Sequence, residues 1–221
     1  MVRKWPNIVI TGTPGTGKST LSSMLVDPTS SSSSSASTSA SISSHLHHIN
    51  VSSMIRQRKD LQVSYDEEWD AFEVDEDLLL DELEKQTGGT APEPVDEDEP
   101  QTGSATVSDA SAGGEGDGEG GLILDWHTNE IWPERWVDLV VVLRTDHSVL
   151  WQRLESRGYP AHKIQENNQA EIMQTVLEEA RGAYPNEAIV ELQNNNNDEL
   201  EENAERLLQW IIQWRKDRGL A

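Results

Sequence analysis

The chain has 221 residues, no cysteine and a formal net charge of −23, from 40 acidic against 17 basic residues. That charge argues against an ordinary nucleic-acid surface, since phosphate contacts need clustered Lys and Arg, and without cysteine there is neither a disulfide framework nor a thiolate metal site. The short apolar run near the start fits no signal peptide or membrane span, so a soluble intracellular protein is expected.

Residues 7–11 are apolar and β-branched, and predict a buried strand. Gly12-Thr13-Pro14-Gly15-Thr16-Gly17-Lys18-Ser19 follows and matches the phosphate-loop pattern G-x-x-x-x-G-K-[ST] at every fixed position. Gly15 and Gly17 let backbone amides approach phosphate oxygens, and the helix predicted over 18–26 adds its positive dipole end. Lys18 supplies charge to the outer phosphates, Ser19 an oxygen ligand for Mg2+, and Thr20 lies near the inner phosphates. A nucleoside triphosphate is the expected ligand.

Residues 27–44 are almost entirely Ser, Thr and Ala, and predict a disordered loop ahead of a second strand over 46–51. His45, His47 and His48 admit a metal-cluster reading, but strand alternation would put His47 and His48 on opposite faces. Ser52 is a plausible N-cap for a helix over 53–59 that carries Arg56, and a helix over 75–86 begins with acids that complement its dipole. Residues 87–120 hold nine acids and no Lys or Arg among Gly, Pro and Ser, and form a second predicted disordered insertion. Without the two insertions about 170 residues remain, the size of one compact domain.

The apolar run 121–125 ends in Asp125, the pattern of the strand whose terminal carboxylate holds Mg2+ in phosphate-loop proteins; a strand-end Asp is also a common turn residue. His127 could touch nucleotide or water, or be an ordinary packed histidine. A fourth strand is predicted over 137–143 and a helix over 148–157 with Arg153 and Arg157 one turn apart. These two form a candidate phosphate clamp, or else a pair of solvent arginines. A single helix over 166–183, a fifth strand over 188–192 and a last helix capped by Asp198 with Glu201 complete an α/β fold: a five-stranded parallel sheet flanked by helices. Trp210 and Trp214 read as packing residues.

The motifs Thr11-Gly-Thr-Pro-Gly-Thr-Gly-Lys-Ser-Thr20, Tyr65-Asp-Glu-Glu-Trp69, Asp125-Trp-His127, Pro133-Glu-Arg-Trp136, Val142-Leu-Arg-Thr-Asp146 and Arg153-Leu-Glu-Ser-Arg-Gly-Tyr159 together resemble the isoenzyme six family of small nuclear adenylate kinases, also described as coilin-interacting nuclear ATPases. The resemblance implies a P-loop NTPase core, a monophosphate-binding region over 50–73 and a short lid over 156–166. It implies ATP, AMP and Mg2+ as ligands, with Gly15, Gly17, Lys18, Ser19, Thr20 and Arg157 at ATP. Arg56 would contact the AMP phosphate. The clamp read from the residues adds Arg153 as a substrate-phosphate contact, and together these readings put Lys18, Arg157, Asp125 and His127 in the catalytic set and Ser19 with Asp125 at the metal. It further implies a monomer, nuclear and cytoplasmic, that acts in small-ribosomal-subunit maturation through a ribosomal protein. The alternatives are an ATP-driven assembly switch with little kinase turnover, and a small-metabolite kinase.

Overall fold

The computed structural model describes residues 3–27, 41–66, 71–87 and 119–220. The readings of both insertions as disordered therefore fall, apart from the insertions' ends, outside the described residues. Five strands form one parallel sheet: β1 (Ile8–Thr11), β2 (His47–Asn50), β5 (Leu122–Asp125), β6 (Leu139–Arg144) and β7 (Ile189–Gln193). Their order is β2-β5-β1-β6-β7, which puts β1 at the centre.

Side chains alternate across this sheet and fill a core on each face. Ile8 and Ile10 of β1, with Leu139, Val141 and Leu143 of β6, pack beneath α1 (Lys18–Val26) and α7 (Asn197–Asp217), meeting Leu21, Leu25, Leu207 and Ile211. Val9, Leu124, Val140 and Val142 face the other way. They meet Val51 and Ile55 of α2 (Val51–Gln57), Leu79 and Leu83 of α3 (Glu76–Thr87), Leu177 of α6 (Thr175–Ala183) and the indoles of Trp126, Trp132 and Trp136. A near-continuous apolar strand such as β6 is what burial on both faces requires.

Several boundaries differ from the sequence expectation. Asn50, not Ser52, caps α2: its Oδ1 accepts from the Ser53 amide at 2.8 Å. An antiparallel hairpin, β3 (Gln62–Asp66) with β4 (Ala71–Val74), stands where no strand pair is expected. The helix expected over 166–183 is two, α5 (Ala161–Ile172) and α6, separated at Gln174, which is left-handed at φ 60°. The cap of α7 is Asn196, which accepts from the Glu199 amide while Glu199 accepts from that of Asn195; Asp198 and Glu201 do not form the box. α4 (His147–Ser156) leads into α5 through a turn at Gly158, φ 75°.

One side chain organises the end of the sheet opposite the phosphate loop. The Asn7 amide donates to the Thr87 carbonyl at 2.9 Å and to that of Trp136 at 3.0 Å, and its oxygen accepts from the Leu122 amide at 3.0 Å. It so closes the gap across which the acidic insertion leaves and re-enters the domain.

Candidate nucleotide site

The phosphate loop joins the C-terminal end of β1 to the first turn of α1, so its amides and the helix dipole face one crevice. Gly12 and Gly17 lie at φ 143° and 100°. A Cβ on Gly12 would stand 2.5 Å from the Leu143 carbonyl oxygen, and one on Gly17 would overlap the Asn194 amide, so both positions demand glycine. Asn194 in turn donates to the Thr16 carbonyl at 2.6 Å and braces the loop from β7.

Lys18 Nζ donates to the carbonyls of Gly12 at 2.7 Å and Thr13 at 3.2 Å. Burial foremost, then the Arg157 charge, push its ammonium down to about 8, against the opposing pull of Asp125 and Glu171. A poorly solvated cation of this kind gains strongly from an arriving phosphate anion.

Sheet register assembles the second half of the site. Asp125 is paired across the sheet with Ile10 on one side and Asn50 on the other, which sets three strand ends abreast. Asn50 Nδ2 donates to Asp125 Oδ2 at 2.7 Å and to Ser19 Oγ at 3.1 Å, and His48 Nε2 lies 3.3 Å from the same carboxylate oxygen. Burial opposes ionisation of Asp125, but hydrogen bonds from His48 and Ser19 and the Lys18 charge outweigh it and hold the carboxyl below the usual carboxylate range. An ionised carboxylate oxygen beside a serine hydroxyl is the hard-oxygen set that suits Mg2+. Among the described residues no three His, Asp or Glu side chains gather as a metal cage. His45 instead stacks on Trp5 with ring centroids 4.5 Å apart.

A cavity of about 650 Å³ opens over these groups. Gly15, Gly17, Lys18, Ser19 and Thr20 border it from the loop, Arg56 from α2, Asp125 and His127 from the end of β5, and Arg157 from the turn before α5. The protein around the His127 ring foremost, and the Lys18 charge, push its imidazole down to about 4. The ring faces the open cavity, where water moderates that depression. The neutral form that the depression favours can donate or accept one hydrogen bond there.

The two-arginine clamp does not form. Arg153 lies behind the loop, where its guanidinium donates to the carbonyls of Asn194 at 2.9 Å, Asn195 at 3.0 Å and Gly15 at 3.3 Å. A planar fork already spent on three carbonyls is a brace for the loop, and the cavity is bordered by Arg157 without it. Two further groups escape sequence reasoning. Asn50 is legible only as a polar residue between strand and helix, and Glu171, which accepts from Thr13 Oγ1 at 2.6 Å, is 158 residues from its partner and carries no local signal.

Among the described residues no helix is long and apolar enough to cross a membrane. A family model described as an AAA domain matches residues 8–174. A Schizosaccharomyces pombe protein named adenylate kinase isoenzyme 6 homolog is 40% identical over 215 residues, 97% of this chain and 97% of that one. A Candida albicans relative with the same family name is 37% identical over 209 residues, 95% of this chain and 70% of its own. One from Dictyostelium discoideum is 35% identical over 212 residues, 96% of this chain and 95% of its own.

Proposed function

Because the chain belongs to the adenylate kinase isoenzyme 6 family, a family of nucleotide kinases and ATPases, we propose that it transfers the γ-phosphoryl group of ATP to AMP and also hydrolyses ATP slowly. The observation that carries this reading is a single cavity shared by the phosphate loop, the Asp125 carboxylate and two arginines on separate elements, Arg56 and Arg157. Donor and acceptor can meet there without leaving the cleft.

The reaction breaks the bond from γ-phosphorus to the β,γ-bridging oxygen and forms one to an AMP phosphate oxygen, leaving two ADP. The attacking oxygen is already an anion, so the protein needs no general base; it must position the phosphates and stabilise charge that spreads over the transferring group. Loop amides from Gly15 to Thr20 and the Lys18 ammonium hold the β- and γ-phosphates. Arg157 closes from the turn at 157–160, and Arg56 holds the AMP phosphate from α2. Ser19 and Asp125 would hold Mg2+, which neutralises charge on the β- and γ-oxygens when bound. Asn50 and His48 orient the Asp125 carboxylate, and the hydrogen bonds from His48 and Ser19 with the Lys18 charge keep it ionised. In this reading residues 50–73 form the monophosphate-binding region and 156–166 the lid of one kinase domain.

We extend the proposal to a role in small-ribosomal-subunit maturation through a basic ribosomal protein, in nucleus and cytoplasm. The family resemblance and the −23 net charge support it. ADP formation from ATP with and without AMP tests the core reading. AMP should raise the rate well above that of hydrolysis alone. Lys18→Ala should lower it at least about 100-fold in a protein whose circular dichroism is unchanged. Equal rates with and without AMP would leave an ATP-driven switch as the better account.

A further inference from the structure

Glu171 sits one residue from the end of α5, is only 4% exposed, and has no part in the chemistry above. A buried carboxylate is costly unless each oxygen is satisfied, and here each is. Oε2 accepts from Thr13 Oγ1 at 2.6 Å, while Oε1 accepts from Arg144 Nε at 2.6 Å and from the Thr145 amide at 3.1 Å. Arg144 also donates to the Glu171 backbone carbonyl at 2.9 Å and, on its far side, to Glu191 at 3.0 Å.

Thr13 is the residue through which this anchor reaches the phosphate loop. It is 2% exposed. Its carbonyl accepts from the Thr16 amide at 3.2 Å, from Thr16 Oγ1 at 2.9 Å and from Lys18 Nζ at 3.2 Å. The peptide that sets the bend of the loop and holds Lys18 is therefore fixed at its side chain by Glu171. The same helix borders the cavity through Lys163, Glu166 and Asn167, about one to two turns before Glu171.

We infer that Glu171 is a positioning residue for the triphosphate: its hydrogen bond from Thr13 fixes the loop in the shape that receives ATP and ties that shape to the helix bordering the cavity. The inference rests on the loop being the ATP site. It predicts an effect confined to ATP, because Arg56 and the rest of α2 make no hydrogen bond to Glu171. Glutamine at 171 can serve Arg144 and Thr145 through its oxygen, but then replaces the charge-assisted bond from Thr13 by a weaker neutral one, its NH2 donating to the Thr13 hydroxyl. Valine at 13 keeps the shape of threonine and removes the donor.

Calorimetric titration of the full chain with ATP plus Mg2+, and separately with AMP, tests this in Glu171→Gln, Thr13→Val and the double variant. Each single variant should weaken the Kd for ATP about tenfold and leave that for AMP within twofold. The double variant should match the worse single, since both act on the same bond, one weakening it and the other removing it. Glu191→Gln, which touches only the far side of Arg144, should bind ATP within twofold of the parent. The inference is overturned if either single variant binds ATP within twofold of the parent, if AMP binding weakens equally, or if the losses multiply to about a hundredfold. Should Glu171→Gln not fold, the split between ATP and AMP in Thr13→Val decides. A parent protein that binds ATP normally but makes no ADP from AMP would remove the kinase reading and leave this comparison standing.

Discussion

Arg153 and Arg157 stand one helical turn apart, yet the protein employs them differently. Arg157 is exposed, borders the cavity, and lies close enough to depress the Lys18 ammonium by its charge. In the proposed reaction a phosphate placed between them would relieve that repulsion, so the Arg157 contribution would grow as negative charge gathers on the transferring group. Arg157→Ala should lower kcat about 10- to 100-fold while the Kd for ATP changes less than about threefold, read by steady-state kinetics beside calorimetry. Arg153→Ala should do something else. It removes the donor shared by three carbonyls that hold the loop against the end of β7, at a cost of about 1–3 kcal/mol. The melting temperature should then drop by about 3–10 °C. An unchanged melting temperature with a collapsed kcat would return Arg153 to the phosphate site.

At the scale of elements, legibility followed whether the determinants were local. α1 is found over the residues expected, 18–26, because a fixed motif opens it and a Ser-rich tract closes it. The parallel strands are legible as apolar runs between polar ends, each within a few residues of its place. The β3–β4 hairpin was hidden: Val63, Ser64, Tyr65 and Asp66 are all exposed, so burial imposes no alternation on their sequence. The break between α5 and α6 was hidden for another reason. Ile172, Val176 and Ala180 keep helical spacing across it, but Ile172 is 62% exposed and only the latter two face the core. The Glu171 ion pair fixes the end of α5, and the chain turns through Gln174 in a conformation that costs a residue with a Cβ about 1 kcal/mol or more. Gln174→Gly should therefore raise stability by about 0.5–1 kcal/mol and the melting temperature by about 2 °C, despite the greater freedom of glycine in the unfolded chain. A lower melting temperature in a thermal scan would show that the turn carries no such strain.

For the whole molecule the two ends of the acidic insertion matter more than its length. Thr87 and Leu122 bond to the same Asn7 amide, so the folded chain on either side is already closed before residue 88 leaves it and after residue 118 returns. Loop-closure cost rises only logarithmically with length, which makes the domain indifferent to how much chain lies between. Replacing 88–118 by a short Gly-Ser linker should leave the melting temperature within about 2 °C and adenylate kinase turnover within about twofold. Association with a basic protein partner should weaken at low salt and little at high salt, as screening predicts. A large loss of turnover would place part of the insertion in the folded domain. The same clasp makes the chain cuttable. Arg215 stacks over Trp5 at 3.7 Å and donates to the Leu220 carbonyl at 2.7 Å, so the described head and tail of the polypeptide meet on one guanidinium. A circular permutant that opens within 88–118 and fuses those neighbouring ends would rearrange the order of synthesis while leaving every strand in its present register, with β5 emerging from the ribosome first and the phosphate loop following α7.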